Sequence, residues 1–139
     1  MRIGVVGYSA AKFDVDKARV LVDVGLDYFV NKAPMSGATI VSGLTDLGIP
    51  GLAYRYAQRK CIRTVGIACS KASEYECFPV DEKIIVGDEW GDESATFLSN
   101  IDCLLRVGGG KQSHEEVDRF RKLKPNALIV ELGLPELEQ

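Results

Sequence analysis

The chain has 139 residues, 46% hydrophobic and 27% charged, with a formal net charge of −3, enough for one ordinary core and little more. Its lysines and arginines are scattered rather than gathered in runs, and no apolar run approaches the width of a bilayer. The balance therefore argues against a polyanion, nucleic acid included, or a membrane as partner.

The apolar part of the opening stretch is too short for a signal peptide, and the chain reads as cytoplasmic, a single domain over 1–139. Arg2–Gly7, rich in Ile and Val, reads as a buried strand ending in the small-residue turn Gly7-Tyr8-Ser9-Ala10-Ala11. Asp14 is placed to cap a helix with Ala18, Leu21, Val22, Tyr28 and Phe29 on its apolar side, although Gly25 and several valines oppose helix formation. A second strand is expected over 38–42, then a glycine-rich turn and a helix carrying Leu52, Ala53, Tyr56 and Ala57 on one side, with Pro50 in its first turn. Further strands are read at 63–69, 83–86, 101–107 and 127–131, with helices at 93–100 and 113–123. The proline-containing tail after Gly133 reads as mobile. Short runs apolar on both faces, alternating with helices, predict an α/β fold, a three-layer Rossmann-like sandwich around a mostly parallel sheet of about six strands. The four cysteines Cys61, Cys69, Cys77 and Cys103 form no CxxC pair and sit in or beside apolar runs, so they read as small, buried, reduced thiols.

In such sheets ligands bind where strand order reverses, outside the carboxyl ends of the strands. Three small-residue turns follow strands there: Gly7, Tyr8 and Ser9; Ser42, Gly43 and Thr45; and Gly109, Gly110, Lys111, Gln112 and Ser113. Glycines let the backbone approach a ligand closely, and helix N–H groups after them suit an anion. The third turn has a ligand-free reading as well, because Ser113 and Glu116 match an S-x-x-E capping box. The acidic stretch at 86–94 is either a solvated turn or, through Asp88 and Asp92, the candidate to hold Mg²⁺ beside a bound nucleotide. No cofactor is otherwise required. Trp90 suits either stacking on a base or a subunit interface.

The segments "SGLTDLGIPGLAYRYA" (42–57) and "DCLLRVGGGKQSHEE" (102–116) resemble the SLOG superfamily, which includes the LOG-type phosphoribohydrolases often labelled lysine decarboxylases. The family's P-G-G-x-G-T-x-x-E signature falls on 108–116 without a gap and its G-G-G-x-x-G-L-M-G signature on 43–51. Gly108 replaces the proline, Gln112 the last glycine, and Leu44 and Thr45 two glycines of the second loop. Glu93-Ser94 stands where the enzymes carry an Arg-Lys pair. The resemblance implies that Gly109, Gly110 and Ser113 hold a nucleotide phosphate with Ser9 beside it, that Glu116 occupies the place of the catalytic glutamate, and that the protein is a homodimer or higher homo-oligomer.

Three functions stay open at this point. The first is a small cytosolic nucleotide-binding protein with its phosphate at 108–113. The second is a nucleoside 5′-monophosphate N-glycosidase in which the Glu116 carboxylate stabilises the charge developing on the ribose, with Lys111 or His114 assisting the leaving base. The third is a single-stranded DNA-binding module, for which Arg55, Arg59, Lys60 and Arg63 are the only basic cluster, against the negative overall charge. Pyridoxal-phosphate chemistry finds no lysine in a suitable context.

Overall fold

The computed structural model describes residues 1–137; of the span 1–139 read as one domain, residues 138 and 139 lie outside the described residues. The elements in chain order are β1 (Arg2–Gly7), α1 (Val15–Val30), β2 (Thr39–Ser42), α2 (Gly48–Lys60), β3 (Arg63–Ala68), a 3-10 turn (Ser70–Glu74), β4 (Glu82–Ile85), α3 (Ser94–Ser99), β5 (Cys103–Val107), α4 (Lys111–Leu123) and β6 (Ile129–Leu132).

The strands form one sheet in the order β4-β3-β2-β1-β5-β6, every neighbouring pair parallel. The chain starts at the sheet's centre, winds outward through β2, β3 and β4, and returns to the other flank of β1 through β5 and β6. Because parallel crossovers keep one hand, α1 and α2 cover one face, and reversing the winding direction puts α3 and α4 on the other. The core divides accordingly. Ile3, Val5, Leu105 and Val107 pack against Val22, Leu26, Phe29 and Ala53, while Val6, Val65, Ile67 and Leu104 pack against Phe97, Leu98, Val117 and Phe120. Alternate residues of each strand supply the two layers, as the pleat requires. Between β1 and β5 the crossovers leave in opposite directions, and that gap opens a crevice at the strands' carboxyl ends.

Asp14 caps α1 as the sequence indicates, its side chain accepting from the Lys17 N–H at 3.1 Å. Gly25 proves to be an asset: a Cβ there would lie 2.7 Å from Leu105 Cδ1, so the glycine lets α1 settle closely onto β5. Leu26 takes the core position expected of Tyr28, whose ring is left 45% exposed. Pro50 lies in the first turn of α2, where no N–H is needed. The helix ends at Cys61, which adopts a left-handed conformation with φ 55° and is exposed. The expectation that all four thiols are buried therefore fails at Cys61, because the chain must turn there into β3, and holds only in part at Cys77, which is half-buried. Cys69 and Cys103 are buried, and burial pushes the Cys103 thiol up to about 12.

β5 begins two residues later than expected and β6 is displaced toward the C-terminus, while α4 begins two residues earlier. Up to Leu137 the tail is held down rather than free: Leu134 is buried in the α1–α2 layer, and the Leu137 N–H donates to the Lys12 carbonyl at 2.8 Å. No helix among the described residues is long and apolar enough to cross a membrane.

Candidate functional site

A cavity of about 400 Å³ opens at the β1–β5 reversal, walled by Gly7–Ala11, by Ser42 and Gly43, by Gly110–Ser113, and by Glu93, Phe97, Glu116 and Glu136. The three turns singled out in the sequence thus meet at one place. Two glycines make this geometry attainable. A Cβ on Gly7 would fall 2.3 Å from the Val107 carbonyl oxygen and 2.6 Å from Ile49 Cγ1, so only glycine lets β1 leave the sheet beside β5. Gly109 has φ +102°, and a Cβ on it would meet Ser113 Cβ at 2.6 Å, so glycine is what allows the first turn of α4 to fold over the strand exit.

Gly110 precedes α4 in extended conformation, no described side chain caps the helix, and its first turn holds no acidic residue. The capping box expected of Ser113 and Glu116 does not form, because the helix already begins at Lys111 and Ser113 is its third residue. Ser113 is instead 6% exposed, its hydroxyl directed at the Gly7 carbonyl at 3.4 Å. The first N–H groups of a helix have no intrahelical partner and carry the positive end of its dipole. Here that end, with Lys111, Gln112 and Ser113, lies in the cavity wall. Lys111 itself reaches into solvent, its side chain 90% exposed, with Nζ 3.7 Å from Glu115.

Tyr8 and Ser9 line the cavity from the first turn. Ser42 also lines it, but its buried hydroxyl donates to the Val5 carbonyl at 2.7 Å and ties β2 to β1. Thr45 does not reach the cavity; it pairs with Cys77 in an antiparallel bridge that draws the second turn away. Tyr54, which the periodicity passes over, is wholly buried and donates to the carbonyls of Gly43 at 2.6 Å and Val65 at 3.0 Å, fixing that turn to β3. Burial holds its phenol far above the ordinary range.

Glu116 lies one turn further along α4 and is half-buried. Burial pushes its carboxyl up to about 7, and the charge of Glu93 adds to this; a hydrogen bond from the Ser94 hydroxyl at 3.4 Å and the charge of Arg119 oppose it. Glu93 accepts from the Gly91 N–H at 3.0 Å. A carboxyl that retains its proton close to neutrality can act as general acid or general base.

Asp88 and Asp92 stand apart from the cavity. Asp92 accepts from the N–H groups of Asp88 and Glu89, both at 3.0 Å, and Asp88 accepts from the Ser70 hydroxyl at 3.2 Å, so this acidic stretch is a self-bonded turn. No group of three or more potential metal-ligating side chains gathers among the described residues. Trp90 rests against Tyr75 with ring centroids 5.9 Å apart. His114 is exposed and outside the cavity wall. Three of the four members of the basic cluster are paired in place: Arg55 with Asp46 at 2.7 Å, Arg59 with Asp23 at 2.8 Å and Arg63 with Glu82 at 2.9 Å.

Topology and crevice together define an open, wholly parallel Rossmann-like α/β fold whose cavity sits at the reversal of strand order. The same fold is found in the molybdenum cofactor carrier protein from Chlamydomonas reinhardtii, at 22% identity over 95% of this chain and 76% of that one, with a TM-score of 0.73. It recurs in the protein TM1055 (22% identity, 88% and 69% of the two chains, TM-score 0.71). A third similar structure is the molybdenum cofactor binding protein from the phototrophic bacterium Rippkaea orientalis (21% identity, 94% and 76%, TM-score 0.70). No protein-family model and no curated protein sequence matches the chain.

Proposed function

We propose that this chain is a small nucleotide-binding protein of the SLOG type, seating the ligand's phosphate against the N-terminus of α4 at Gly109–Ser113. The observation that carries the reading is the convergence of three strand-exit turns on one cavity whose wall includes a helix N-terminus capped by no described side chain. Mg²⁺, where it accompanies a nucleotide, is brought by the ligand's own phosphates, since Asp88 and Asp92 face elsewhere. Two of the similar structures are described as carrying or binding molybdenum cofactor, which places that compound beside nucleotides as a ligand to test. Isothermal titration with nucleoside monophosphates, ADP-ribose and molybdenum cofactor tests the reading. Saturable binding of at least one is expected, and no binding of any at millimolar concentration overturns it.

Hydrolysis is a second reading, favoured by Glu116, whose carboxyl titrates near neutrality inside the same cavity. In this reading it stabilises the charge developing on the ribose as the N-glycosidic bond of a nucleoside 5′-monophosphate breaks. Release of free base by the wild type and its loss in Glu116→Ala is the expected result; no base from any common monophosphate ends this reading. Self-association belongs to the same proposal. α1 exposes Val20, Val24 and Tyr28 at helical spacing, 60%, 59% and 45% exposed, and sedimentation at two concentrations is expected to give a homodimer or higher homo-oligomer.

A further inference from the structure

The two ends of the cavity differ in polarity. On one side stand the N-terminus of α4, Ser113 and Lys111; one turn along α4 stand Glu116 and, from the lead-in to α3, Glu93. Ser113 and Glu116 are three residues apart on one helix, a rise of about 4.5 Å, comparable with the spacing between a nucleotide's 5′-phosphate and its ribose hydroxyls. Both carboxylates are held. Glu93 accepts from the Gly91 N–H at 3.0 Å, and Glu116 from the Ser94 hydroxyl at 3.4 Å. The other charged groups in or near this wall are Glu136 from the tail, Arg119 on α4 beside Glu116, and Lys111 at the helix N-terminus. The wall at Glu93 and Glu116 is therefore rich in acceptors and carries net negative charge, while the wall at the helix N-terminus favours an anion.

We propose that Glu93 is a specificity-determining residue: with Glu116 it forms an acceptor wall that takes the vicinal hydroxyls of a singly phosphorylated ligand and excludes a ligand bearing a second phosphate there. This rests on the nucleotide reading above. A hydroxyl donates to a carboxylate and is stabilised by it, whereas a phosphate in the same place meets two like charges in a partly desolvated setting, where repulsion is strong.

The test compares AMP with adenosine 3′,5′-bisphosphate by isothermal titration at pH 8, in the wild type and in Glu93→Gln, with Glu93→Ser as a second variant should the first fold poorly. The bisphosphate is expected to bind the wild type about 100-fold more weakly than AMP, as juxtaposed like charges dictate. In the variants the ratio is expected to fall to about 10-fold or less, because the bisphosphate binds more tightly once the like charge is gone while AMP weakens on losing the carboxylate that accepts its hydroxyl. A position that merely supports the fold would weaken both ligands alike and leave the ratio unmoved. If AMP binds but the bisphosphate binds the wild type equally well, or the ratio survives in the variants, this inference is overturned and the phosphate seat stands. If neither ligand binds, this inference is overturned, and the nucleotide reading falls with it only when the wider panel of nucleotides and molybdenum cofactor also fails to bind.

Discussion

Replacing Glu116 by glutamine should make the protein more stable at neutral and alkaline pH, and the size of the gain follows from the carboxyl's surroundings. Burial first, and the charge of Glu93 second, lift it from its ordinary value of 4.5 to about 7. Between those pH values the folded protein keeps a proton that the unfolded chain has released, so the free energy of unfolding falls as pH rises through the window. Below pH about 4.5 both states are protonated and this cost is absent; above pH about 7 it is present in full, on the order of 3 kcal/mol. Glutamine keeps the shape and the acceptor for Ser94 without the charge. Urea unfolding followed by far-ultraviolet circular dichroism should give nearly equal stabilities at pH 4, and a variant more stable by up to ~3 kcal/mol at pH 8. A difference that stays constant from pH 4 to 8, or a variant less stable at pH 8, would refute the buried, like-charged environment assigned to Glu116.

Three further substitutions probe the frame of the site. Gly7→Ala places a methyl 2.3 Å from a backbone oxygen that cannot swing aside, and a loss of ~1–3 kcal/mol in urea unfolding is expected from such overpacking. Tyr54→Phe removes the donor shared by the Gly43 and Val65 carbonyls; the same assay should show a loss of ~1–3 kcal/mol, together with weaker ligand binding if the second turn shapes the cavity. Ser113→Ala deletes a hydroxyl in the cavity wall and should weaken AMP binding about 10-fold in titration calorimetry, the worth of a hydrogen bond to a charged group.

The alternation of buried strands and amphipathic helices was plain in the sequence because both faces of this sheet are covered, which forces runs such as Ile3–Val6 and Cys103–Leu105 to be free of charge on both faces. The meeting of three turns was legible for the same reason, since it follows from the winding. What stayed hidden depends on partners distant along the chain. Arg55, Arg59 and Arg63 look like a free basic cluster, yet their acids are 9, 36 and 19 residues away. Thr45 seems to continue the Ser42-Gly43 turn until Cys77 pairs with it. Ser113 and Glu116 satisfy the capping pattern, but glycines with positive φ at 108 and 109 let the helix start earlier, so that both residues sit within it and line the cavity. Glu93 and Glu136 enter the wall from a loop and from the tail, segments in which no local periodicity marks a site residue.

The placement of Lys111 decides between two sources of affinity for an anion. One is the lysine itself, the residue that stands out when the glycine loop is read as a sequence. The other is the backbone of α4, whose uncapped first turn lies in the cavity wall after Gly110. The lysine side chain is 90% exposed and already near Glu115 at 3.7 Å, and a solvated, partly compensated charge adds at most ~1 kcal/mol at physiological salt. Oriented amides lose no conformational entropy when an anion arrives and are not screened in the same way. Lys111→Ala should therefore weaken AMP binding by no more than about 5-fold, and the affinity of the wild type should fall only slightly between 50 mM and 200 mM salt. A loss of 50-fold or more in the variant, with a steep salt dependence in the wild type, would move the anion's seat from the helix end to the lysine and leave the glycines as turn formers only.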